Sequence, residues 1–325
     1  MSFRVFVDFA VPADALEMLQ AGTKGHQLVF PQKPIASVLS TPEHDPQFAT
    51  VDIAFGQPDP KAVAEAATLK WIHVSSSGIT RYDNPMFRAM VAERKITVTN
   101  SADVYDEACA VHVLSFMLAQ ARNLPRALDS RTANGTDEWR GLRGSSTTLR
   151  GQTVLILGFG AIGSRLAELL RPLHMNLIAY RRKARGDEGV PVITTPDQLS
   201  RALASEADHI INILPDNAES QRFFDAARFA ALKPGAVFYN IGRGATVDQD
   251  ALLEALRSNR LKAAWLDVTE PEPLPDHHPL RAEPNCFITP HVAGGQAGET
   301  KMLVRHFLKN FHAYVHGGPL RDRVM

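Results

Sequence analysis

Three ionisable side chains stand at or just beyond the ends of short apolar runs. Arg243 follows AVFYNIG, Glu272 lies a few residues after AAWLDV, and His291 follows CFITP. An arginine can grip a carboxylate in a planar fork and polarise a neighbouring carbonyl. A histidine with a carboxylate partner is stabilised as imidazolium and can give or take a proton near neutral pH. Beside a nicotinamide, the set would suit reduction of a 2-oxo acid. Arg243 would hold the acid, His291 would protonate the oxygen, and Glu272 would orient His291 and balance its charge. Singly, each has a plainer reading: a surface loop arginine, a turn glutamate among prolines, and a helix-entry histidine. Spacing alone does not show that the three meet.

A hydride donor has its own signature here. The stretch TVLILGFGAIGSRLAELL sets a strand before Gly158, Gly160 and Gly163 and an amphipathic helix after them. In that G-x-G-x-x-G pattern the first glycine makes the turn and the second lets backbone approach a pyrophosphate. The third packs helix on strand, and the helix N-terminus attracts phosphate. About 20 residues further on, an NAD site offers an acidic residue to the ribose. This chain offers AYRRKAR instead, with Arg181, Arg182, Lys183 and Arg185 at the strand end. A carboxylate there would repel a 2′-phosphate, whereas an arginine fork would bind it. The expected cofactor is NADP(H), chiefly through Arg181 and Arg182, with NAD(H) possible. The plainer reading is a solvated basic loop.

These residues need a scaffold of parallel strands, because in open α/β sheets ligands lie beyond the carboxyl ends of the strands. Apolar runs alternate with helix-period segments almost throughout, which predicts parallel sheets with helices on both faces. The first hundred residues carry RVFVDF, QLVF, VDIAFG, WIHVSS and ITVTN as strand candidates. PADALEMLQ and DPKAVAEAATLK read as helices with proline near their starts. From Asp103 to about Arg131 one long helix is expected, since the segment has no glycine and only Pro125. RTANGTDEWRGLRGSSTTLRG reads as a polar surface connection. A second series follows: TVLILG, NLIAY, HIINILP, AVFYNIG, KAAWLDV and CFITP, with Thr195 able to cap a helix ahead of Pro196. The segment GGQAGETKMLVRHFLKNFHAYVHGG reads as a C-terminal helix.

The totals agree with such an architecture. The chain has 325 residues, room for two α/β domains. Thirty-five basic residues balance thirty-five acidic ones, so no global field draws the molecule to nucleic acid or an anionic membrane. Cys109 and Cys286 sit apart in hydrophobic stretches and read as reduced core thiols. MSFRVFVDFA does not read as a signal peptide, and no apolar run reaches the ~18 residues that span a bilayer. The expected location is cytoplasmic. His277 and His278 read as solvated rather than metal-bound, His112 and His174 as packing residues, and no metal is expected.

Four ordered segments, LRGQTVLILGFGAIGSRLAELL, LPDNAESQRFFDAARFAALKPGAVFYNIGRGATVDQDALLEAL, KAAWLDVTEPEPLP and FITPHVAGG, together resemble the D-isomer-specific 2-hydroxyacid dehydrogenases. The likeness runs from about Asn100 to His291 and is weaker in WIHVSSSGITRYD. It implies hydride transfer between a nicotinamide cofactor and a 2-oxo acid, with Arg243, Glu272 and His291 as the catalytic set. Formate dehydrogenases of the family carry Gln where Glu272 stands, which disfavours formate. The implied cofactor site comprises Gly158, Gly160, Ala161, Ile162, Gly163, Tyr180, Arg181, Arg182, Leu214, Pro215, Ile241, Asp267 and His291. Asp267 matches the residue that contacts the nicotinamide carboxamide. Backbone amides around Ser77 and Gly78 match the loop that receives the substrate carboxylate, joined there by Arg243 and His291.

The same resemblance implies a Rossmann cofactor domain, residues 102–291, inserted in a flavodoxin-like substrate domain made of 1–101 and 292–325. Both are doubly wound parallel sheets, with substrate in the cleft between them, and the usual assembly is a homodimer. Val111 and Thr80 depart from the Glu and Asp common in relatives. Arg81, near the substrate loop, reads as a surface residue or a contact for a substrate phosphate. The favoured activity is reduction of glyoxylate or hydroxypyruvate. The alternatives are 3-phosphoglycerate oxidation and a dinucleotide-sensing binding protein of the corepressor kind. The short tail GGPLRDRVM favours neither, since it holds no regulatory domain or long polar extension.

Overall fold

The computed structural model describes residues 2–35, 40 and 43–325. The chain divides into two compact units, Met1–Tyr105 with Gly295–Met325, and Asp106–Gly294. Each carries one all-parallel sheet.

The first unit has strands β1 (Arg4–Val7), β2 (Gln27–Val29), β3 (Ile53–Gly56), β4 (Trp71–Val74) and β5 (Thr97–Thr99). Their order is β2-β1-β3-β4-β5, the flavodoxin-like arrangement. β3 and β4 are buried along their whole length, as strands covered on both faces must be. One face is covered by the helix Glu299–Val315, which buries Leu303, Val304, Phe307 and Phe311 at helical spacing. Phe307 stacks on Phe55 at 4.3 Å and on Trp71 at 5.3 Å between centroids. Phe307→Ala is expected to cost ~3–5 kcal/mol, the usual price of emptying a buried aromatic site. A denaturant titration followed by near-UV circular dichroism measures it, and a loss below ~1 kcal/mol would mean that the site collapses freely.

The second unit has β6 (Thr153–Leu157), β7 (Asn176–Tyr180), β8 (Val192–Ile193), β9 (His209–Asn212), β10 (Ala236–Asn240), β11 (Leu261–Leu266) and β12 (Cys286–Ile288). The order is β12-β11-β10-β9-β6-β7-β8. Chain order reverses between β6 and β9, and a crevice forms at such a switch point beyond the strand ends. The helix Ala161–Leu170 buries Gly163, Leu166, Ala167 and Leu170, the spacing of one helical face. Thr195 and Gln198 form a reciprocal capping box on the helix Pro196–Arg201.

Two expectations fail locally. The single helix over 103–131 is two helices, Ala102–Ala121 and Leu124–Ser130. Asn123 adopts a left-handed conformation, φ 51°, which asparagine tolerates better than most residues. Pro125 then falls in the first turn of the second helix, where its missing N–H is harmless. The polar connection over 131–151 contains a helix, Asp137–Ser145, started by Thr136, whose side chain accepts the Trp139 N–H. Its capping signal was masked by Gly141 and Gly144. The short edge strand β8 was also not anticipated. Both cysteines are free, and no helix among the described residues is long and apolar enough to cross a membrane.

Candidate active site

At the carboxyl end of β6 the glycine turn is fixed by close backbone contact. Gly158 has φ 94°, and a Cβ there would lie 2.6 Å from the Ile213 carbonyl oxygen. A Cβ on Gly163 would meet the Gly158 oxygen at 2.8 Å, whereas one on Gly160 would point into open space. Gly160 is also the N-cap of the helix Ala161–Leu170 and supplies no side-chain cap. The first-turn N–H groups, beginning at Ala161 and Ile162, therefore lie beside open space at Gly160, where a pyrophosphate can approach the backbone. These residues fit a dinucleotide.

Next to the turn, β9 and β10 end in Asn212 and Asn240, both buried. Asn212 Nδ2 donates to Asn240 Oδ1 at 3.1 Å and to Thr246 Oγ1 at 2.7 Å. Asn240 Oδ1 also accepts the Gly242 N–H, and Asn212 Oδ1 accepts that of Leu214. Thr246 Oγ1 and Asn240 Nδ2 both donate to the Arg243 carbonyl oxygen. This network fixes the loops that carry Leu214, Pro215, Ile241 and Arg243. The network lies outside the site expected from sequence, and its signal there is the asparagine that closes each of the apolar runs HIIN and AVFYN.

Arg243 leaves that network half-buried, with its side chain donating to the Gly242 carbonyl oxygen at 2.6 Å. Burial lowers its hold on the proton, and the charges of Glu272 and then Asp216 offset the effect. Gly244 is obligatory beside it, since a Cβ would lie 2.0 Å from the Thr269 carbonyl oxygen. Thr269 begins the loop that carries Glu272, in which the bonds before Pro271 and Pro273 are cis.

His291 and Glu272 meet: Nδ1 lies 2.7 Å from Oε1, and both side chains are about 30 % exposed. The histidine has φ 52°, an unusual conformation for a residue with a Cβ. It is held there by its N–H, which donates to the Asp267 carbonyl oxygen at 2.9 Å. The buried Asp267 carboxylate accepts from Thr289 Oγ1, Val292 N and Ala293 N at 2.6, 2.9 and 2.9 Å. Asp267 thus fastens the turn that presents His291. His112, near Thr289, packs on Phe116 at 4.3 Å between ring centroids, and burial lowers its proton affinity. Burial likewise pushes the Cys109 thiol up to about 12, which leaves it unreactive.

At the end of β7 the basic cluster is not bare. Tyr180 accepts the Gly158 N–H through its carbonyl oxygen. Arg181 donates to Glu188 Oε1 at 2.9 Å, and the Glu188 side chain is only 4 % exposed. The backbone N–H of Arg185, then that of Gly186 and the Arg181 side chain, hold the Glu188 carboxyl below its ordinary range. Arg182 pairs with Glu219 at 2.8 Å, both well exposed. Neither glutamate belongs to the cofactor site expected from sequence.

In the other unit, the loop after β4 is shaped by side chains. Asn100 Nδ2 donates to the Ser77 carbonyl oxygen at 2.6 Å, and Ser76 Oγ to that of Gly78 at 2.7 Å. Among the described residues, neither the Ser77 nor the Gly78 N–H donates to a protein acceptor. Both are thus available to an anion. Nearby, burial pushes the Asp8 carboxyl up to about 7, and Gln57 N donates to its Oδ2 at 2.7 Å. Arg81 is tied to the carbonyl oxygens of Gln57 and Ser40 at 3.0 and 2.6 Å.

Residues 114–293 match the family model described as D-isomer specific 2-hydroxyacid dehydrogenase, NAD binding domain. Human glyoxylate reductase/hydroxypyruvate reductase is 32 % identical over 262 residues, covering 79 % of this chain and 77 % of that one. Glyoxylate/hydroxypyruvate reductase B of Salmonella typhimurium is 30 % identical over 291 residues, 90 % and 88 % of the two chains. Among solved structures, an NADPH-dependent glyoxylate/hydroxypyruvate reductase from Sinorhizobium meliloti, with NADP and malonate, superposes with a TM-score of 0.74 at 26 % identity. It covers 100 % of this chain and 97 % of that one. The chain therefore belongs to the D-isomer specific 2-hydroxyacid dehydrogenase family and is an NAD(P)-dependent oxidoreductase.

Proposed function

We propose that this chain is a cytoplasmic, homodimeric reductase that uses NADPH to convert small 2-oxo acids to 2-hydroxy acids, glyoxylate to glycolate or hydroxypyruvate to D-glycerate. The observation that carries the reading is the 2.7 Å contact between His291 Nδ1 and Glu272 Oε1, in a chain whose curated relatives include glyoxylate/hydroxypyruvate reductases. With Nδ1 engaged by Glu272, His291 delivers its proton from Nε2 to the oxygen forming at C2 of the substrate. Glu272 keeps the ring oriented and balances the imidazolium charge. Arg243 holds the substrate carboxylate in its fork and polarises the carbonyl. The Ser77 and Gly78 amides, both without a protein acceptor among the described residues, are candidate anion ligands in their own right. The bound dihydronicotinamide supplies the hydride.

Arg182 is the residue we assign to the 2′-phosphate, with Arg181 secondary because Glu188 holds it. An exposed pair such as Arg182–Glu219 is worth about 1 kcal/mol or less, so Glu219 yields to a dianionic phosphate. A charge-assisted hydrogen bond to that phosphate contributes ~1.5–3 kcal/mol. Arg182→Ala is therefore expected to raise the KM for NADPH ~10-fold or more while leaving that for NADH unchanged. An equal effect on both coenzymes, or none, removes Arg182 from this role.

The function is tested by following NADPH and NADH oxidation with glyoxylate, hydroxypyruvate, pyruvate, phenylpyruvate and phosphohydroxypyruvate. Turnover is expected to be fastest with NADPH and one of the first two. Phosphohydroxypyruvate should be poor, since the Arg81 guanidinium is already engaged by two carbonyl oxygens. Coenzyme binding without turnover of any acid would sink the enzyme reading and favour a dinucleotide-sensing protein.

A further inference from the structure

Away from the site above, the described residues contain one group of three side chains able to ligate an ion together: Asp103, His306 and Asp322. Their ligand atoms all lie within 4.8 Å of one another. All three belong to the first unit. Asp103 is in the first turn of the helix Ala102–Ala121 and His306 is midway along Glu299–Val315. Asp322 lies in the C-terminal segment, where Arg323 bridges to Thr99 of β5 and Val324 N donates to the Val98 carbonyl oxygen. Asp103 and Asp322 are 219 residues apart, so no motif announces the group.

His306 supplies an independent sign of a ligand. It is 5 % exposed, and its Nε2 has no hydrogen-bond partner although Asp322 Oδ2 lies 3.1 Å away. The same Oδ2 accepts the Asp103 backbone N–H at 3.1 Å. Nε2 and that carboxylate form a buried ion pair that misses hydrogen-bond geometry, an arrangement that an ion between them would satisfy. The neighbouring charge is Arg321, 4.0 Å from Asp103; His73, whose ring is 5.3 Å from that of His306, is kept neutral because burial pushes its pKa down to about 3.

We propose that Asp103, His306 and Asp322 bind a first-row divalent transition metal ion such as Zn²⁺, which clips the C-terminal segment and its helix to the start of Ala102–Ala121. One imidazole and two carboxylates suit such an ion better than Mg²⁺ or Ca²⁺, which prefer oxygen alone. Bonds of ~2.1 Å place ligand atoms at most ~4.2 Å apart. The 43 % exposed Asp103 side chain is free to make the small inward swing.

The test is calorimetric titration of Zn²⁺ into metal-stripped, untagged full-length protein, all in a His312→Ala background. The exposed His312 and His316 stand one turn apart and would otherwise contribute binding of their own. A single equivalent should bind and raise Tm by mass action. Asp103→Asn and His306→Gln should each weaken binding ~100-fold or more, beyond what loss of a supporting contact costs. No Zn²⁺ binding by the background protein, or equal affinity in both variants, overturns the proposal. If His306→Gln does not fold, the exposed Asp103→Asn decides alone.

Discussion

His291→Ala is expected to lower kcat for reduction of the 2-oxo acid by ~100- to 10,000-fold, the range that a positioned general acid supplies. The NADPH dissociation constant should stay close to that of the unmodified protein. Two features tie the loss to His291 rather than to general damage. Its ring is partly exposed and makes one close polar contact, with Glu272. Its backbone, in contrast, is held by the Asp267 carbonyl oxygen, which the substitution leaves in place. Glu272→Gln keeps a hydrogen-bond acceptor but removes the charge, so its loss should be intermediate. A His291→Ala variant that retained more than about a tenth of kcat would exclude the imidazole as the proton donor.

Arg243→Ala is expected to reduce kcat/KM by ~100- to 1,000-fold, as removal of a preorganised charge at the reacting oxygen does. The loss should appear in both parameters, because the fork binds the carboxylate and also polarises the carbonyl. Arg243→Lys should recover only a small part, since a lysine ammonium keeps the charge but cannot offer two parallel N–H donors. The local fold should survive either change. The Asn212–Asn240–Thr246 network engages the backbone of Arg243, not its guanidinium. Near-normal turnover in Arg243→Ala, with coenzyme binding intact, would assign the carboxylate to another group.

Much of this architecture is legible in local sequence because burial on both faces leaves plain apolar runs. RVFV, IAFG, WIHV, TVLIL and AVFYN each became a strand of a parallel sheet. The glycine turn is equally legible, since Gly158 and Gly163 answer to backbone contacts that no side chain could share. The readable features end where side chains meet across distant segments. Arg182 and Glu219 are 37 residues apart, and Asn212 and Thr246 are 34 apart. Neither pair has a periodicity to betray it. The helix break at Asn123 turned on one left-handed residue within a continuous apolar pattern, and the helix at Asp137–Ser145 on one threonine cap in a glycine-rich stretch. The basic cluster shows the same limit. Its charges were visible, but their division between Glu188 and Glu219 depends on how the loops after β7 and β9 fold.

The Asp267 carboxylate sharpens the account of His291. It is committed to Thr289, Val292 and Ala293, so it governs the angle at which the imidazole is presented. A buried carboxylate with three hydrogen bonds rigidifies such a turn, and proton delivery depends on that placement to within fractions of an ångström.

The most direct single measurement is the configuration of the product. Purified protein is incubated with NADPH and hydroxypyruvate, and the glycerate formed is resolved by chiral chromatography. The account predicts D-glycerate alone, formed in step with NADPH oxidation. An L-configured or racemic glycerate, or no product from either hydroxypyruvate or glyoxylate, would contradict it.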